Sequence, residues 1–136
     1  MLAADPGGRL LAGESYVVFG KSIGFAPTLA LSSLDGTTGF RLLGIDAYDR
    51  SGWSVAAAGD VNGDGFDDVI IGALGARPGD QPYSGESYVV FGRAGGFASA
   101  IALSSLDGIT GFRFDGIDSD DNSGASVAGA GDMNGD

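Results

Sequence analysis

The chain has 136 residues, enough for one modest domain, and it is strongly acidic, with a formal net charge of −11 and a pI near 4.1. That balance argues against nucleic acid or an anionic membrane surface as partner. With neither Cys nor His, it excludes disulfides, thiol or imidazole catalysis and the usual zinc ligands. Of its 18 acidic residues only Glu14 and Glu86 are Glu, and there are 26 glycines. Asp and Gly favour turns where Glu would favour helix, so an all-β chain with many tight turns is expected. No apolar run is long enough to span a membrane, so membrane insertion is not expected, and Met1 is followed by residues without the basic start and apolar stretch of a secretory signal.

In chain order, the first elements are the apolar run Tyr16–Phe19 and a second short strand near Phe40. Strands are then expected over Ser54–Ala58, Asp68–Gly72, Ser87–Phe91 and Phe112–Asp115, the last continuing toward Ile117. Long connections, Arg77–Gly85 and Arg93–Gly111, join the second strand to the third and the third to the fourth.

Between the first two of these four strands lies GDVNGDGFDD. With Asp60 at position 1, side-chain oxygens fall at Asp60, Asn62 and Asp64, Gly65 stands at position 6, Phe66 at 7 and Asp68 at 9. Calcium takes six to eight hard oxygen ligands, so a short segment must curl until alternate side chains and one backbone carbonyl converge. Asp60, Asn62, Asp64 and Asp68 supply the side chains in this reading and Phe66 its carbonyl. An EF-hand needs Glu at position 12 and flanking helices, but position 12 is Ile71 inside the strand-like run Val69–Ile71. A metal-free Asp/Asn/Gly turn is the bland alternative.

The segment from Ser54 returns at Ser126, 72 residues later, as SVAGAGDMNGD. GESYVVFG stands at Gly13–Gly20 and Gly85–Gly92, and ALSSLDG at Ala30–Gly36 and Ala102–Gly108. Four strands per repeat fit one blade of a propeller better than a solenoid coil. The expected fold is a partial β-propeller of about two blades, each a four-stranded antiparallel sheet. Residues 1–53 form the end of one blade, 54–125 a complete blade with its calcium loop, and 126–136 the start of a third.

Through these motifs the chain resembles FG-GAP repeats, the blades of the integrin α-subunit propeller and of many bacterial surface proteins. The resemblance implies calcium held between strands one and two by Asp60, Asn62, Asp64, the Phe66 carbonyl and Asp68, and by Asp132, Asn134 and Asp136 in the next repeat. The second of these loops reaches only position 5. Ser51-Gly52 and Ser123-Gly124 replace the family's Phe-Gly, and Leu74 follows Gly72-Ala73 where Pro is usual, without touching a ligand.

Other motifs yield to blander readings. Gly20-Lys21-Ser22 lacks the earlier glycine and following helix of a phosphate-binding loop. Arg77-Pro78-Gly79-Asp80 reads as a turn. Asp118, Asp120 and Asp121 could pair for glycoside hydrolysis, but the other copy keeps only Asp46 and Asp49 around Tyr48, so a hydrated turn is preferred. Trp53 could stack on a sugar, although packing beside a strand is the commoner role.

The expected function is a non-catalytic, calcium-binding propeller module of a larger extracellular or cell-surface protein, serving adhesion or ligand binding. Its expected partners are a protein or glycan at the propeller loops and the neighbouring blades. The alternatives are the scaffold of a secreted hydrolase, glycosidase or lipase, and a dockerin-like module, which would need helices after each loop.

Overall fold

In the computed structural model, residues 4–131 and residue 133 are described. Among the described residues there are seven strands: β1 (Glu14–Val18), β2 (Gly39–Leu43), β3 (Ser54–Gly59), β4 (Asp68–Ala73), β5 (Glu86–Val90), β6 (Ala100–Ala102) and β7 (Gly111–Asp115). The helical elements are single 3-10 turns, among them Pro78–Asp80, so the Arg-Pro-Gly-Asp stretch is a turn as expected. Among the described residues no helix is long and apolar enough to cross a membrane.

The strands form two sheets. β3, β4, β5 and β7 make a four-stranded antiparallel meander, the expected blade with its long connection between β5 and β7. β1 and β2 pair antiparallel, as β5 and β7 do 72 residues later. The fourth strand stops at Asp115 instead of running toward Ile117.

The first sheet differs from expectation. Its third member is β6, which leaves the β5–β7 connection and pairs in parallel with β2, Arg41, Leu42 and Leu43 lying opposite Ala100, Ile101 and Ala102. A three-residue strand offers no periodicity, so the sequence showed only a long connection there. The pairing covers an outer sheet edge, whose free N–H and C=O groups would otherwise face water.

Phe40 and Leu42 of β2 meet Ile71, Ala73, Tyr88 and Val90 of the four-stranded sheet, with Leu103 from the connection, in one core. Successive side chains in a strand point to opposite faces, so Ile71 and Ala73 share a face, as do Tyr88 and Val90. Tyr88, Val89 and Val90 are buried, whereas Val18, the counterpart of Val90 in the first sheet, is exposed. Tyr88 is fully buried and its hydroxyl donates to the buried Glu86 carboxylate two residues away on the same face. That bond and burial push the Tyr88 phenol far above its usual range, burial being the larger cause. Tyr16 donates to Glu14 in the same way in the first sheet.

Candidate metal centre

The stretch from Asp60 to Asp68 connects β3 to β4 and bends at its start, where the register slips between Ala57 and Gly59. Its polar side chains turn back onto the loop's own backbone. The Asp60 carboxylate accepts from the Asp64 N–H at 3.0 Å and from the Gly65 N–H at 2.8 Å. Asn62 Oδ1 accepts from the Asp64 N–H at 3.1 Å, and Asp64 Oδ1 from the Phe66 N–H at 2.9 Å. The Asn62 amide also donates to Asp64 Oδ2 at 2.9 Å. These bonds fold the first six positions into a closed curl and draw the side chains of Asp60, Asn62 and Asp64 together. Gly65 sits at φ +88°, a backbone region that costs a side-chain-bearing residue but not glycine.

Asp68 is different. It is 1% exposed, and its Oδ2 accepts from the Val61 N–H at 2.8 Å while Oδ1 accepts from the Gly92 N–H at 2.7 Å. One carboxylate therefore ties the entrance of the loop to the end of β5. The sequence placed Asp68 as a ninth-position ligand and gave no sign of the link to Gly92, which lies 24 residues away.

Among the described residues no three acidic side chains stand close enough to hold a metal ion by themselves. Any ion here would draw on the Asn62 amide oxygen and the Phe66 carbonyl as well as carboxylates. The donor chemistry fits calcium: every candidate is a hard oxygen, and Asp60, Asn62 and Asp64 are exposed on a loop already curled. Asp132, Asn134 and Asp136, the candidates of the second loop, lie outside the described residues.

The other motifs resolve as turns and surface groups. Asp121 accepts from the Asp118 N–H at 3.0 Å, and Asp120 has φ +68° with its N–H given to the Pro82 carbonyl. Asp49 repeats the Asp121 bond by accepting from the Asp46 N–H at 2.8 Å, but it is buried, and burial raises its carboxyl to about 6. Trp53, expected to pack buried or half-buried beside a strand, directly precedes β3 and is 45% exposed. A cleft of about 440 Å³ opens between the sheets beside β1, lined by Val17, Leu42, Val55 and Val69; none of the predicted metal ligands reaches it. The buried Ser15 hydroxyl on its wall has no hydrogen-bond partner among the described residues.

Residues 51–90 match the FG-GAP repeat family. The chain is also similar to integrin alpha pat-2 of Caenorhabditis elegans and of Caenorhabditis briggsae, 46% identical over 55 residues in each case. Each match spans 40% of this chain and only 4% of the length of the integrin.

Proposed function

From the premise that residues 51–90 form an FG-GAP repeat within an all-β, blade-like fold, we propose that the chain is part of a calcium-stabilised β-propeller in an extracellular or cell-surface protein. In this reading the module is non-catalytic and its loops serve adhesion or ligand binding, with a protein or glycan as the partner. The observation that carries the metal assignment is the Asp60–Asp64 curl, in which three successive oxygen-bearing side chains are already turned into one loop. Calcium, when bound, supplies positive charge that offsets the repulsion between these carboxylates. Asp60, Asn62 and Asp64 would hold it with the Phe66 carbonyl, while Asp68 borders the site and anchors the loop to β5. The similarity to integrin alpha chains supports the extracellular and adhesive side of the proposal.

The stabilisation expected is modest. With calcium tenfold above a dissociation constant of about 0.1 mM, a single site adds roughly 1.4 kcal/mol. That corresponds to a rise in Tm of about 5 °C for a domain of this size. Thermal unfolding in chelator and in millimolar calcium should show this rise in the unaltered chain and none in Asp64→Ala. Equal midpoints with and without calcium in the unaltered chain would remove calcium from the proposal.

A further inference from the structure

The loop that carries the candidate metal centre also carries a reactive pair of residues. Asn62 is followed by Gly63 between β3 and β4, and both are exposed. Asparagine before glycine is thermolabile, because the next backbone nitrogen can attack the side-chain amide and glycine has no Cβ to obstruct the approach. Gly63 sits at φ +75°, with nothing within 4 Å of the position where a Cβ would lie. The N–H groups of Val61, Asp64, Gly65 and Phe66 are each held by the carboxylate of Asp60, Asp64 or Asp68. The Gly63 N–H donates no hydrogen bond among the described residues.

Asn62 is itself held by two exposed bonds, Oδ1 accepting from the Asp64 N–H at 3.1 Å and the amide donating to Asp64 Oδ2 at 2.9 Å. Water competes for such bonds, each worth only about 1 kcal/mol, and once they open the side chain is free to swing onto the Gly63 nitrogen. Asn122 offers a comparison within the same chain. It precedes Ser123, which bears a side chain and gives its N–H to the Ser84 carbonyl at 2.9 Å, so the attacking nitrogen there is neither open nor free. Asn134, which also precedes a glycine, lies outside the described residues.

We propose that Asn62 is a self-modification site, converted through Gly63 to aspartate and isoaspartate while the loop holds no ion. The Gly63 nitrogen gives up its proton and bonds to Asn62 Cγ, the bond from Cγ to the side-chain nitrogen breaks, and ammonia leaves with the proton, closing a cyclic imide. Water then adds to one of the two imide carbonyls. Opening at Cγ gives Asp at position 62 with the backbone unchanged. Opening at the backbone carbonyl gives isoaspartate, in which the chain runs through Cγ and is one atom longer between Asp60 and Asp64. One water is consumed, one ammonia is released, and the chain gains one negative charge beyond its net −11. The two products differ in consequence, because a calcium loop takes Asp or Asn at its third position but depends on the even spacing of its alternate oxygens. Protection rests on the calcium reading above, whereas the modification does not: an ion held by Asn62 Oδ1 would keep that side chain in the curl.

Incubating the whole chain in chelator and in millimolar calcium, followed by peptide mapping, tests this. In chelator the tryptic peptide 51–93, in which Asn62 is the sole asparagine, should change from amide to acid at residue 62, with isoaspartate among the products, while Asn122 stays an amide. With calcium tenfold above its dissociation constant about one loop in eleven is empty, so the change should slow about tenfold. Asn62→Gln should abolish the acidic form of the peptide, since the longer side chain closes its ring far less readily. The isoaspartate fraction should lose the rise in thermal midpoint with calcium, whereas Asn62→Asp should keep it. An Asn62 that stays an amide in chelator, or is modified no faster than Asn122, would overturn the proposal. Equal rates in both media would overturn the protection if calcium raises the midpoint of the unaltered chain. If the midpoint does not move either, the calcium reading fails and the modification at Asn62 stands.

Discussion

Asp68 shows how one residue serves two ends of a turn. Its buried carboxylate holds the Val61 and Gly92 amides, and a buried donor left unpaired costs about 1–3 kcal/mol. Asp68→Ala is therefore expected to lose about 2–4 kcal/mol in denaturant titrations even in chelator, whereas Asp64→Ala should lose less there, its bonds from Asn62 and the Phe66 N–H being exposed, and more once calcium is present. Asp49 gives a separate prediction. Its folded-state carboxyl is raised to about 6 from 3.8, so the native chain binds the extra proton and stability falls as pH rises between those values. Asp49→Asn should flatten that decline, which amounts to at most about 3 kcal/mol, in thermal melts from pH 4 to pH 7. Asp35 and Asp107 are shifted the other way by hydrogen bonds from Thr38 and Thr110, so their contribution is lost only on going below the usual carboxylate range. The alternating oxygens of Asp60, Asn62 and Asp64 were legible in sequence because the curl is local. The Asp68–Gly92 bond was not, since it depends on where β5 ends in space.

At the scale of elements, the strands readable from sequence were those of five or six residues, β1, β2, β3, β4, β5 and β7, with β1, β4 and β5 in runs rich in β-branched and aromatic residues. β6 was illegible because Ala100–Ala102 has a strand's role only through β2 beside it. Its hold depends on the ring at Phe97. Phe97→Ala removes the stack on Phe40 and should cost about 3 kcal/mol. Amide exchange should then quicken at Arg41, whose N–H is held by the Ser99 carbonyl, while β4 and β5 keep their protection. Equal loss of protection in both sheets would mean that the connection is not a separate clasp.

At the scale of the whole molecule, the two sheets share one core, with Leu42 on one side and Ile71 and Tyr88 on the other. Leu42→Ala should cost about 2–5 kcal/mol and still leave a single cooperative unfolding transition, because neither sheet has an apolar interior of its own. Two transitions in calorimetry would show the sheets to be independent. The 72-residue repeat carried the family resemblance in sequence alone, but not the way the β5–β7 connection reaches back to β2. That reach depends on chain geometry between β5 and β7, where Gly, Ala and Ser carry little pattern.

The backward reach of β6 also gives the chain a direction in time. Synthesis runs from the N-terminus, so β2 emerges with a bare outer edge and waits for Ala100–Ala102 to follow it from the ribosome. At about 5–20 residues per second that wait lasts several seconds, during which the upstream sheet is a template for any passing strand. The first sheet is thus finished by a later part of the chain, and slow translation between Leu43 and Ala100 would lengthen the interval in which a newly made chain is most open to mispairing.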